Sequence, residues 1–275
     1  MLYAEVDAST ELQKEKETSA RELQWLLNTE LPPVIQDLEK ALKKCYSMMK
    51  NENEVESVRS TLAITSSNSD ALKGYIMSSG SNIYKGELQI KLPNYNRGNM
   101  VKATINSEKP YFIDQLGDAQ NYLVLTLDLL ASSHLPYTKQ SAIELLNDVS
   151  KYVSKSRSAL TNVNEGNLFP YKICESQVFN SALPDDLAVE FHVEGAEIVT
   201  SVYVLQYHAS LPSNKLNILS AHKNHHKYHK YKDIYVTIID EIVVRSLDPS
   251  LEEIGAKLKE IEQQCLSWRK KITVL

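Results

Sequence analysis

A chain of 275 residues, 43% of them hydrophobic, exceeds one typical domain and has a globular composition, which excludes a largely disordered protein. Its net charge of −5 gives no general attraction for nucleic acid or anionic lipid. Three widely spaced cysteines, Cys45, Cys174 and Cys265, exclude a disulfide framework and suit a reducing compartment.

The opening residues, Met1 to Asp7, carry neither the basic region nor the apolar core of a secretory signal. No apolar run approaches the roughly 18 residues that span a bilayer, and the chain has no Asn-x-Ser/Thr sequon. A soluble cytoplasmic protein is expected.

Four segments show helical periodicity, and two β-like regions separate them. The first helix is expected from Ser9 or Thr10 to about Met49, with Ala20, Leu23, Leu27, Leu31, Val34, Leu38, Ala41, Cys45 and Met48 on its apolar face. Pro32 and Pro33 fall inside it. Proline removes a backbone donor and disfavours α geometry in the residue before it, so a kink or break is expected there. Between about 57 and 106, short runs at Ser60–Thr65, Lys73–Met77, Glu87–Leu92 and Met100–Ile105 stand between Ser, Asn and Gly clusters. Glu87 to Leu92 alternates polar and apolar, as a strand with one wet face does, and the four runs read as a meander.

Two helices follow. Pro110 suits a first helical position, and Ile113, Leu116, Leu123, Leu127 and Leu130 form a stripe broken only by Gln120. After a short turn at Ser133–Pro136, Ala142, Leu146, Val149, Val153, Ser156, Leu160 and Val163 keep helical spacing, which predicts an antiparallel hairpin. A second β-like region spans about Phe169 to Arg245. In it Ala188–Val193 and Ile198–Gln206 flank a turn at Glu194–Glu197, and Ile234–Val244 is a β-branched run. Asp248 and Pro249 then start the last helix as N-cap and first residue. There Leu251, Ile254, Leu258, Ile261, Cys265, Trp268, Ile272 and Leu275 form an a/d seam.

Amphipathic helices cannot bury their stripes alone, and neither strand group makes a convincing sheet alone. The expected fold class is therefore α+β: an antiparallel four-helix bundle from residues 9–50, 109–165 and 249–275. One antiparallel sheet domain is expected from residues 57–106 and 169–245. The expected bundle seam includes Leu23, Trp25, Leu27, Leu38, Leu251, Ile254, Leu258, Ile261 and Trp268, with the two tryptophans as core anchors. Four helices close a bundle within one chain, so a monomer is expected.

The most tempting chemistry is a histidine group: His222, His225, His226 and His229 fall at i, i+3, i+4 and i+7, one face of a helix if that segment were helical. The surrounding Lys215–Lys232 contains five lysines and no acidic residue, however, which reads as a solvated loop and opposes a divalent cation. With Tyr228 and Tyr231 interleaved, the same stretch suits docking onto an acidic protein surface better than binding nucleic acid. Asp185 and Asp186 follow Pro184 and read as a turn, and Asp240 and Glu241 point to opposite faces of a strand. Cys45 and Cys265 sit in packing stripes, where thiols are inert, and Cys174 has no neighbouring His to activate it. No GxSxG, HExxH or GxxxxGK occurs, and no catalytic residue or cofactor is expected.

Glu22 to Leu27, followed by Val34 to Leu38 and Leu42, resembles the first helix of the Rogdi family. Ile113 to Asn121, Ala182 to Val189 and Thr200 to His208 resemble that family's central helix, central motif and following strand, in the expected order. The resemblance covers most of the chain. The family includes the small subunit of the fungal RAVE complex, which helps reassemble the vacuolar-type proton ATPase. The resemblance thus implies a helical bundle with an attached antiparallel sheet domain and the role of a non-enzymatic adaptor. Its expected partners are a large β-propeller scaffold subunit and the peripheral sector of the ATPase. The protein would be a monomer within that hetero-complex, recruited to vacuolar or endosomal membranes through its partners without inserting in them. A generic cytosolic coiled-coil adaptor and a metal-binding protein using the His222–His229 cluster remain as alternatives.

Overall fold

The computed structural model describes residues 2–50, 60–67, 69–133, 135–136, 138–209 and 227–275. The chain divides into a helical unit, Met1–Met48 with Asp118–Ser158 and Glu253–Leu275, and a sheet unit, Met49–Gly117 with Ala159–Glu252.

In the first helical stretch, α1 (Leu2–Trp25) and α2 (Leu31–Met49) are joined by a π turn at Leu26–Glu30. The Leu31 N–H bonds back to the Leu26 carbonyl, one residue further than in an α-helix. Pro32 and Pro33 lack the N–H groups that would reach the carbonyls of Asn28 and Thr29, and those residues are exposed, where the carbonyls are open to solvent. The proline pair thus widens one turn and does not break the helix. Leu27, Leu31, Leu38, Leu42 and Cys45 are buried along this stretch.

The helices α3 (Asp114–Ser132), α4 (Lys139–Thr161) and α5 (Pro249–Val274) complete the helical elements. Ala142, Leu146, Val149, Val153 and Ser156 make the buried stripe of α4, at steps of four and three. Ser156 is tolerated there because its hydroxyl donates to the Ala119 carbonyl of α3 at 2.9 Å. On α3 the stripe runs through Ala119, Leu123, Thr126 and Leu130, and Leu127 is only half-buried. Thr126 fits because its hydroxyl returns to the Tyr122 carbonyl at 2.7 Å. Ile254, Leu258, Ile261, Cys265 and Ile272 bury the seam of α5. Along its flanks Lys44–Glu253 (2.6 Å), Arg157–Glu262 (3.0 Å) and Arg269–Asn147 (2.8 Å) reach the neighbouring helices.

The sheet unit holds two antiparallel sheets. Strands β1 (Ser60–Thr65), β2 (Leu72–Ser79), β3 (Asn82–Ile90) and β4 (Val101–Ile105) pair in chain order, with β5 (Tyr111–Phe112) added on β3 and β6 (Phe179–Asn180) on β4. The second sheet has the order β7-β8-β10-β9, from β7 (Leu187–Glu194), β8 (Glu197–His208), β9 (Tyr228–Tyr231) and β10 (Ile234–Leu247). Gly195, at φ 66°, opens the two-residue turn between β7 and β8. Asp248 then ends β10 and caps α5, its Oδ1 accepting the Ser250 N–H at 2.8 Å. The two sheets meet through Tyr95 Oη donating to Asp186 (3.1 Å) and Ser246 Oγ donating to the Ala63 carbonyl (2.8 Å).

These findings overturn the expected four-helix bundle with one merged sheet domain. The helical stretches are separated along the chain by large sheet regions, and they are unequal. The first runs from Leu2 to Met49, whereas α3, α4 and α5 have 19, 23 and 26 residues. From residue 9 to residue 25 its side chains are nearly all exposed. The ten strands among the described residues form two sheets. The physical reason is that a stripe at helical spacing marks a buried face but not what covers it. Strand alternation likewise says nothing about which sheet a strand joins.

Candidate partner-binding groove

The turn between β9 and β10 places both Lys232 and Asp233 at positive φ, 50° and 62°, as a two-residue type I′ hairpin requires. Lys-Asp is not the Asn-Gly signal of that turn, and the preceding lysines suggest a loop, so sequence alone does not reveal the hairpin. Tyr231, on the inward face of β9, is 3% exposed and packs with Phe169, Ala188, Leu205 and Val236. Its hydroxyl accepts the Cys174 N–H at 3.0 Å.

Phe169 stacks on Tyr203 with ring centroids 4.6 Å apart, and lies 5.1 Å from the Tyr231 ring. Its N–H donates to both oxygens of Glu190, a β7 carboxylate that is 1% exposed. Segment 169–174 is thus fastened to the sheet through one main-chain N–H at each end. Lys172 adds an ion pair to Asp114 at 2.5 Å. Burial pushes the Glu190 carboxyl up to about 7, against the opposing effects of the Phe169 N–H and Lys172.

Between this segment and β9 lies a groove of about 480 Å³. Pro170, Tyr171 and Ile173 form one wall, and Lys227, Tyr228, His229, Lys230, Lys232 and Asp233 form the other. Tyr171 is 72% exposed and Ile173 54%, with no apolar cover among the described residues. Lys230 pairs with Asp233 at 2.9 Å. Lys232 lies 3.8 Å from Asp185 and 5.5 Å from the centre of the Tyr231 ring. Burial, then the charge of Lys227, lowers the His229 pKa, so its imidazole is neutral at pH 7. The groove therefore offers cationic ammonium groups beside exposed aromatic and aliphatic surface.

The other candidate residues fall elsewhere. His222, His225 and His226 lie outside the described residues. His229 sits in a strand, so the expected helical face of imidazoles does not continue through it. Among the described residues no group of three or more His, Cys, Asp or Glu could hold a metal ion. Asp186 accepts from Tyr95, and the Asp185 carbonyl accepts from Tyr207 at 2.8 Å, both fixing local structure. Asp240 accepts the Asn94 N–H at 3.4 Å. Burial raises Cys45 to about 11 and Cys174 and Cys265 to about 12, which leaves all three as unreactive thiols.

Of the expected seam, Leu27, Leu38, Leu251, Ile254, Leu258 and Ile261 are buried and Leu23 is half-buried. Trp25 is 56% exposed, because it lies two residues from Leu23 and from Leu27, about 200° around the helix. Trp268 is half-buried under Lys271, whose ammonium is 4.4 Å from its ring centre. No helix among the described residues is long and apolar enough to cross a membrane.

Residues 22–227 match the model of the family described as "Rogdi leucine zipper containing protein". The chain is 24% identical to the protein rogdi homologs of Homo sapiens and Pongo abelii over 216 residues, covering 75% of this chain and 73% of each relative. It is 23% identical to protein rogdi of Drosophila melanogaster over 196 residues, covering 67% of this chain and 70% of the relative.

Proposed function

The chain belongs to the Rogdi leucine zipper family, and from that premise we propose that it is a non-enzymatic adaptor subunit of a RAVE-like complex. In this role it promotes assembly and reassembly of the vacuolar-type proton ATPase. Its partners are a large β-propeller scaffold subunit and the ATPase peripheral sector, through which it reaches vacuolar or endosomal membranes.

The observation that carries the reading is the family match itself, which runs from α1 to the start of the β9 groove and so takes in parts of both units. The chemistry of the chain agrees with it. The cysteines are held as thiols, and the buried carboxylate at Glu190 is engaged by a main-chain N–H. Among the exposed apolar residues, Trp25 on the helical unit and Tyr171 and Ile173 on the sheet unit are large side chains open to another surface.

The test is to tag the protein in its own organism, purify it gently and identify the co-purifying chains by mass spectrometry. The expected result is a propeller-bearing scaffold together with peripheral ATPase subunits. Recovery of neither, with the ATPase intact in the same extract, would remove the assembly role.

A further inference from the structure

The β7-β8-β10-β9 sheet treats its two edges differently. Along β7, side chains take up outward main-chain groups at Phe191 and Val193. Tyr111 Oη accepts the Phe191 N–H at 3.2 Å, and the Gln115 amide accepts the Val193 N–H and donates to its carbonyl, each at 2.7 Å. Capping of this kind stops an edge from templating another strand.

Among the described residues the β9 edge is not capped in this way. In a two-residue hairpin the pair flanking the turn is hydrogen-bonded, so Tyr231–Ile234 and His229–Val236 are bonded pairs. Lys230–Tyr235 and Tyr228–Thr237 are then the non-bonded pairs. The N–H and C=O groups of Tyr228 and Lys230 therefore point away from β10, and among the described residues no main-chain bond reaches them. Tyr228 and Lys230 also line the groove, opposite Tyr171 and Ile173.

Charge decides what such an edge accepts. Lys227, Lys230 and Lys232 line it, with Asp233 paired to Lys230 and Asp185 3.8 Å from Lys232, so the edge keeps a one-charge cationic excess in a chain whose net charge is −5. Edge lysines are a common device against aggregation. Here they oppose a second copy, which would set lysine against lysine, while leaving an acidic strand attractive. Phosphate binding would need a wider basic surface than this groove presents.

We propose that the groove receives an extended acidic segment of a partner protein, added as a strand on β9. Its main chain bonds Tyr228 and Lys230, its carboxylates meet Lys227, Lys230 and Lys232, and alternate apolar residues pack on Tyr171 and Ile173. This deepens the adaptor reading and rests on it only for the partner being a protein.

The test uses the full chain with immobilised octapeptide pools that alternate Asp or Glu with Val, Ile, Leu or Phe. A matched pool carries Lys at the acidic positions. The acidic pool is expected to be retained about tenfold or more over the lysine pool. Its best binder should weaken by about tenfold against K230E/K232E, with the circular dichroism melt of the variant unchanged. On binding, exchange of the Lys230 amide should slow about tenfold or more. N-methylation of alternate peptide amides, in one of the two registers, should abolish binding. Equal retention of both pools, retention of neither, or binding that survives N-methylation in both registers overturns the proposal. So does equal retention of an eight-nucleotide polyuridylate, which would make the patch a phosphate site. Only purified chain and synthetic probes are involved, so a negative result leaves the co-purification outcome standing, and the reverse also holds.

Discussion

Glu190 accepts the Phe169 N–H on both of its carboxylate oxygens, at 3.1 and 3.2 Å, and so ties the start of the groove wall to the buried face of β7. The carboxyl is 1% exposed, and burial raises its pKa from 4.5 to about 7. Between those values the folded chain holds a proton that the unfolded chain has released. The contribution of this group to stability therefore falls as pH rises from 4.5 to 7, and a constant penalty remains above that. Glu190→Gln keeps an acceptor for Phe169 and removes the penalty. Its stability relative to wild type is expected to rise between pH 4.5 and pH 8 by up to about 3 kcal/mol. Urea unfolding at the two pH values measures this, and an offset that does not change with pH would refute it.

Tyr231 holds the other end of the same segment by accepting the Cys174 N–H at 3.0 Å. Tyr231→Phe keeps the packing and leaves that N–H without its partner, at an expected cost of about 1–2 kcal/mol. Because the groove wall loses one of its fastenings, exchange of the Cys174 amide should also accelerate. A variant with wild-type unfolding and wild-type exchange would show that the bond contributes nothing.

Gly74 faces the β3 main chain so closely that a Cβ would overlap the Glu87 carbonyl. Gly74→Ala is expected to cost about 3 kcal/mol or more, since backbone in a paired strand has no room to move. Gly98 is the contrast: at φ 74° a side chain is strained there, but nothing lies within 4 Å. Gly98→Ala should cost only about 1 kcal/mol. Thermal melts of the two variants rank them, and equal losses would argue against the close approach at Gly74.

Leu258 is fully buried in the α5 seam, and Leu258→Ala should cost about 2–5 kcal/mol. Trp25, at 56% exposed, should change stability by less than about 0.5 kcal/mol when replaced by alanine. If Trp25 instead serves as a contact surface, its replacement will lower recovery of co-purifying chains without moving the melt. A large loss of stability in Trp25→Ala would return that residue to the interior.

Local spacing settled most helices and the longer strands, but not β5, where Pro110 suggested a helix start, nor β9, where the lysines suggested a loop. The four-three steps through Ala142, Leu146, Val149, Val153 and Ser156 are the steps that the buried face of α4 uses, because a helix turns 100° per residue whatever surrounds it. Glu194 to Glu197 closes a hairpin because glycine supplies the positive φ that the turn needs. The cap at Asp248 also depends only on neighbouring residues. The sequence likewise carried the family resemblance, since its motifs are runs of neighbouring residues.

Tertiary structure alone decided the rest. Whether Pro32 and Pro33 broke their helix turned on a π turn and on exposed carbonyls at Asn28 and Thr29 that could turn to water. The split of ten strands into two sheets turned on long-range pairing, which alternation leaves open. The groove has the same origin. Glu190 and Tyr231 lie 41 positions apart in the chain, and the 169–174 segment they hold precedes both of them. Only the sheet brings a buried carboxylate, a buried phenol and a lysine-lined edge to one place, since contact between distant residues is fixed by packing and not by spacing.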